Sequence, residues 1–129
     1  MMGIIHLLNG VVIGIIILQT SVVAPSVFRV LGEEHAGKFL RSLFPKFFVI
    51  LVAVGILGAA FSFSSQQSNS AVAGLLTAIL AMIAYLLIPA TNRARDEGNN
   101  KRFGLLHGAS VILTILVLII NAVNPILGY

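Results

Sequence analysis

Residues 71–90 read AVAGLLTAILAMIAYLLIPA, without one charged side chain. A helix of about 20 apolar residues spans the roughly 30 Å hydrocarbon core of a bilayer. A strand reading fails, because the run has neither the polar alternation of a membrane barrel nor frequent turn signals. Helix remains, since a lipid-spanning segment must satisfy each backbone group within itself. Upstream lies an uncharged polar stretch, SSQQSNS (64–70), and downstream a charged one, TNRARDEGNNKR (91–102). Both mark ends of a span.

Three more runs have the same character. Residues 3–24 are GIIHLLNGVVIGIIILQTSVVA, and residues 44–63 are FPKFFVILVAVGILGAAFSF. The last occupies 103–124, where Pro125 predicts its end by disfavouring helix at the preceding residue. The chain is 58% hydrophobic and 9% charged, with a mean hydropathy of +1.05. One soluble core of 129 residues cannot bury that much apolar surface. The expected fold is an all-α integral membrane protein, a four-transmembrane-helix bundle forming a single membrane domain over 1–129. The connecting segments at 25–43 and 91–102 are expected to be cytoplasmic loops. With no cysteine, disulfides and thiol chemistry are excluded.

The eight Lys and Arg residues fall in two segments. The first holds Arg29, Lys38, Arg41 and Lys46, and the second holds Arg93, Arg95, Lys101 and Arg102. The positive-inside rule makes both cytoplasmic and puts both termini outside the cytoplasm. A pI near 10.2 therefore reports orientation, not nucleic-acid binding, for which no continuous basic face exists. The first run lacks a basic n-region and Pro25 follows its small-residue site, so it reads as a retained span rather than a signal peptide. These features fit a bacterial inner membrane.

The segment SVFRVLGEEHAGKFLRSLF (26–44) has two readings: a surface amphipathic helix, or an extension of the second span. Gly32 and Gly37 weaken a continuous surface helix. Shifting the chain by half its length pairs Pro25 with Pro89, Arg29 with Arg93, Glu33 with Glu97 and Phe39 with Phe103. That register makes two parallel helical-hairpin repeats a candidate architecture. Helix-packing faces are expected at Gly10 and Gly14, Gly55 and Ala59, Gly74 and Ala78, and Gly104 and Gly108. Pro25, Pro45 and Pro89 are expected to kink or stop helices near the cytoplasmic ends.

Chemistry is scarce. No acidic or basic residue occupies the middle of a span, which argues against a pump or ion-coupled transporter. Phosphate-binding loops and nucleophile triads are absent from the sequence. Of the histidines, His6 and His107 sit near opposite ends of their spans, separated in depth by about 20 Å at 1.5 Å per residue. They cannot share one haem. A haem or pigment on one of them, or copper held by Met1, Met2 and His6, remains an alternative.

VVAPSVFRVL, AGKFLRSLFPKFF, PATNRARDEGN and FGLLHGAS together resemble the transmembrane protein 205-like family, whose bacterial members were formerly a domain of unknown function. The resemblance runs from His6 to about Asn121. It singles out Pro25, Phe28, Phe44, Pro45, Asn92, Arg95, Asp96, His107 and Ser110. Lys46 departs from the usual spacing of an aromatic after LFP. The resemblance implies fold and topology but no settled activity, and it places a polar cluster of Asn92, Arg95, Asp96, His107 and Ser110 at the cytoplasmic face. The functional expectation is a non-enzymatic accessory or structural subunit, partnered by membrane lipids and by other subunits or copies of itself. No cofactor is predicted. The alternatives are a haem, pigment or copper protein, and an oligomeric facilitator for a small solute or metal ion.

Overall fold

A computed structural model describes residues 2–127. Among them the order is α1 (Met2–Leu18), a π-helical turn (Gln19–Val23), α2 (Ala24–Ser64), α3 (Ser68–Asp96) and α4 (Asn100–Leu127), with no strand. Three helical runs, Met2–Ser64, Ser68–Asp96 and Asn100–Leu127, are long and apolar enough to cross a membrane. Large apolar side chains remain on the outside, Leu7 and Leu86 each at 65% exposure. A water-facing surface rarely carries so many.

The first run folds back on itself. At Gly32 the backbone takes φ 71° and ψ 173°, a conformation open essentially to glycine alone. Past it, 33–64 returns alongside α1, so Val12 and Ile16 pack with Phe47, Phe48 and Leu51. Ala81 and Ala84 of α3 and Val117 of α4 complete this core. The glycine whose freedom is used is Gly32. Gly37 is ordinary helix.

The π turn has a local cause. Pro25 has no N–H, and in a regular helix its ring would clash with the carbonyl four residues back. The backbone widens ahead of it, and the Ala24 N–H bonds to the Gln19 carbonyl, five residues earlier. A distortion expected at Pro25 is therefore present, displaced one turn toward the N-terminus. Pro45 and Pro89 lie inside α2 and α3 without ending them.

Residues 25–43, expected as a cytoplasmic loop with two readings for its helical part, are helical except at Gly32, and the part after Gly32 extends the second apolar run. Other boundaries differ from expectation. Helix α3 runs on to Asp96, and only 97–99 separate it from α4. Loss of hydropathy marks where apolar surface ends, whereas Arg, Lys and Glu continue a helix readily. The α3–α4 turn closes as a Schellman motif: Asn99 N–H bonds to the Ala94 carbonyl and Gly98 N–H to that of Arg95. Asn99 then caps α4, its Oδ1 accepting the Arg102 N–H at 3.1 Å. At the far end α4 continues through Pro125 to Leu127, past the expected stop. There Pro125 removes a ladder bond only in the final turn, while the buried Asn124 is tied to α3 by the Ser70 hydroxyl, which donates to its Oδ1 at 3.2 Å.

The closest helix contact joins α2 to α3 through Gly55, Ala59, Gly74 and Ala78. A Cβ on Gly74 would sit 2.5 Å from the Ala59 nitrogen, and one on Gly55 2.8 Å from the Ala78 nitrogen. Gly10, Gly14, Gly104 and Gly108 make no such approach, and a Cβ on any of them meets open space. The two hairpins also lack matching ion pairs. Arg41 and Asp96 correspond, in the half-length register, to Leu105 and Gly32, which cannot form a pair.

Candidate functional site

The two basic segments meet at one end of the bundle. The Arg41 guanidinium donates to both carboxylate oxygens of Asp96, from Nη1 to Oδ2 at 3.1 Å, and also reaches the Asn92 carbonyl at 3.5 Å. This fork-to-fork arrangement is the strong form of an Arg–carboxylate pair. The hydrogen bond from Arg41, with its charge, holds the exposed Asp96 carboxyl below its ordinary value of 3.8. Next to it, Arg95 lies 3.7 Å from Glu33 and 5.2 Å above the ring of Phe103. Phe103 in turn stacks on His107, with centroids 5.5 Å apart and planes 6° from parallel.

Of the expected polar cluster, Asn92, Arg95, His107 and Ser110 share the wall of one cavity, whereas Asp96 stands outside it, behind Arg41. Sequence reasoning did not single out Arg41, Glu33 or Gln19. Nothing in a sequence pairs Arg41 with a residue 55 positions away, but a π turn ahead of Pro25 does leave a signal that draws attention to Gln19.

The cavity measures about 700 Å³, and Arg41, Asn92, Arg95 and His107 of this charged end form part of its wall. Its volume lies in the range of small-molecule sites, roughly 300–1,000 Å³. Its apolar wall comes from Phe44, Phe47 and Phe48 of α2, Ile88 of α3 and Ile115 and Leu118 of α4. The three phenylalanines brace each other, Phe47 and Phe48 edge-to-face at 5.0 Å between centroids. Phe28, Phe44, Asn92, Arg95, His107 and Ser110, all carried by the sequence resemblance, line this space.

The polar groups of the wall mix donors and acceptors. Thr20, Thr91 and Thr114 return their hydroxyl protons to the carbonyls of Ile16, Leu87 and Ser110, each at 2.8 Å, leaving acceptor lone pairs. Gln19 is 6% exposed and lines the cavity, and its amide nitrogen has no hydrogen-bond partner among the described residues. An unmet buried amide costs about 1–3 kcal/mol. Among the described residues the wall contains Arg41 and Arg95 but no carboxylate.

Toward the other end lies a second polar layer, unforeseen from the sequence. Asn121 Nδ2 donates to the Thr77 hydroxyl and to the Val117 carbonyl, both at 2.8 Å. Asn9, Ser70 and Asn121 border a void of about 10 Å³, and the Asn9 amide nitrogen has no partner among the described residues. Such a space holds one water at most. His6 is half-buried near the same end of α1 and Met2 is exposed, while Met1 lies outside the described residues. The described residues contain no group of three His, Cys, Asp or Glu suited to a metal ion.

A family model described as a domain of unknown function (DUF4149) matches residues 7–100. No curated protein and no solved structure matches the chain.

Proposed function

The chain belongs to the DUF4149 family, and we propose that it is a non-enzymatic, four-crossing membrane protein whose cavity binds a small molecule with an apolar body and a polar end. The observation that carries this reading is the cavity of about 700 Å³, largely apolar but with Arg41, Asn92, Arg95 and His107 on its wall. A void serving only packing would be smaller, and its polar groups would be paired. Within the family, the motif residues favour likeness to the transmembrane protein 205-like proteins.

The crossing number rests on Gly32. The backbone break at Gly32 supports reading the Met2–Ser64 run as two passes, and with α3 and α4 that reading gives four. The positive-inside rule puts the Arg41–Asp96 end in the cytoplasm of a bacterial inner membrane and both termini outside it. As the chain has no cysteine, single cysteines report sidedness cleanly. With an impermeant maleimide on intact cells, Ser68→Cys labels and Lys101→Cys labels only after permeabilisation. The reverse pattern overturns the orientation.

Binding is tested by irradiating the purified full chain with an acyl diazirine probe. Label concentrated in peptides holding Phe44, Phe47 and Ile115 supports the cavity. Label spread evenly over outward residues such as Leu7, Leu86 and Ile126 overturns it.

A second reading, an accessory subunit of a larger assembly or a homo-oligomer, is favoured by the open faces at Gly10–Gly14 and Gly104–Gly108. Small residues permit close approach of another helix, and among the described residues none takes it. Gentle extraction followed by sizing and an absorption spectrum separates the options. Co-migration with a larger complex supports the subunit, and a small species carrying a stoichiometric chromophore supports a pigment or haem protein instead.

A further inference from the structure

Resting on the cavity reading above, we propose that the ligand is an anionic lipid with an acyl-ester carbonyl, its charged head at Arg95 and its acyl chain among Phe44, Phe47 and Leu118. Three features of the wall lead there. First, its fixed charge has one sign. Arg41 and Arg95 face the space, while Asp96 and Glu33, which pair with them, lie outside the wall. A cationic head would meet only guanidinium groups, whereas a phosphate or carboxylate matches their planar donor geometry.

Arg41 is committed to both oxygens of Asp96. Arg95 is held more loosely: the Glu33 carboxylate is 3.7 Å away with a side chain 86% exposed, and Asp96 feels its charge without a direct contact among the described residues. Such a contact contributes little in water and yields readily to a desolvated anion. His107 and Ser110 stand on the same wall and add hydrogen-bonding capacity beside Arg95.

Second, the body of the space is hydrocarbon-like, and its walls come from all four helices. Burying an acyl chain there rather than in water is favourable with every methylene removed from water. Because the surrounding bilayer is equally apolar, chain burial supplies affinity but little selection. Selection falls to the polar groups.

Third, Gln19 lies on the α1 side of the wall, away from the Arg95 side on α3, and its amide nitrogen lacks an acceptor and is itself buried, so a ligand in the space meets it when the side chain turns about its terminal bond. The nearby threonine hydroxyls cannot supply a proton to a ligand, because each is already donating to its own helix. The unmet need is for an acceptor within the apolar part of the ligand. An ester carbonyl below a charged head is that acceptor. A free fatty acid, with all its oxygens in the head, lacks it.

Native mass spectrometry of the intact detergent-solubilised chain tests this with phosphatidylglycerol, phosphatidylcholine of identical chains, and oleate. The expected result is one retained phosphatidylglycerol, held about tenfold more tightly than either competitor, the value of one charge-assisted contact. Arg95→Gln reduces that preference to near unity, and Lys101→Gln, outside the wall, leaves it unchanged. Gln19→Leu raises the melting temperature of the lipid-free protein, by removing an unmet donor, yet lowers phosphatidylglycerol retention. A purely structural glutamine would move only the first quantity. Equal retention of phosphatidylglycerol and phosphatidylcholine overturns the anionic class but leaves the cavity as a binding site. Oleate binding as tightly as phosphatidylglycerol overturns the ester contact. Retention of none of the three, with wild-type protein folded, overturns the cavity reading itself.

Discussion

Replacing Gly74 with alanine adds one methyl group where the α2–α3 contact has no room for it. The new Cβ would lie 2.5 Å from the Ala59 nitrogen, 2.8 Å from the Gly55 carbonyl oxygen and 3.0 Å from the Ala59 Cα. All three are backbone atoms, so no side-chain rotation relieves the overlap. Van der Waals contact near 3.5 Å requires the helices to part by about 1 Å, a gap that forfeits a quarter to a half of each dispersion contact along the seam. Overpacking of this kind costs about 1–3 kcal/mol. Alanine's helix preference over glycine returns at most about 1 kcal/mol. The net expectation is destabilisation by about 1–2 kcal/mol. The assay is reversible unfolding in mixed micelles by titrating a denaturing detergent, followed by circular dichroism. Gly10→Ala and Gly108→Ala are the controls, because a Cβ on either meets nothing within 4 Å. They are expected to be neutral or slightly stabilising. Gly55→Ala should resemble Gly74→Ala, and the double variant should cost less than the sum, since both open the same seam. The reasoning is refuted if Gly74→Ala is as stable as the wild type, or if Gly10→Ala costs as much.

Gly32→Ala forces an L side chain into a glycine-only conformation and should cost about 1–3 kcal/mol. Gly37→Ala, in ordinary helix beside it, should cost nothing, and the same unfolding titration compares them. Asp96 predicts a pH dependence. Its carboxyl titrates below 3.8 when folded, so the Arg41 pairing stabilises fully above about pH 4 and is lost as pH falls through the depressed folded value. Asp96→Asn should abolish that part of the acid slope, measured as midpoint shifts between pH 5 and pH 2. Asn121→Leu strands the Thr77 hydroxyl and should cost about 1 kcal/mol, in line with interhelical hydrogen bonds in membranes. Pairing it with Thr77→Val should recover part of the loss, as read by a double-mutant cycle.

The physics of each contact divides what residues reveal from what only packing decides. Residues 71–90 determine a helix by themselves, since hydrocarbon leaves an uncharged run of that length no other way to satisfy its backbone. Pro25 fixes a local distortion because the missing N–H and the ring act within one turn. The glycines at 55 and 74 were legible as small surfaces, but so were those at 10, 14, 104 and 108, and sequence spacing does not tell which face a helix turns inward. That choice came from the assembled bundle. Helix ends were misplaced at 91–96 and Pro125, and the two readings left open for 26–44 were separated only by the fold, because hydropathy follows solvent and helicity follows hydrogen bonds. The site divides in the same way. The family resemblance grouped Asn92, Arg95, Asp96, His107 and Ser110, and the fold puts all of them but Asp96 on one cavity wall. The Arg41–Asp96 fork, the absence of any carboxylate from the cavity wall, and the unmet amide of Gln19 all depend on helices distant in sequence being brought side by side. Each is a relation between surfaces, and a sequence determines surfaces one helix at a time.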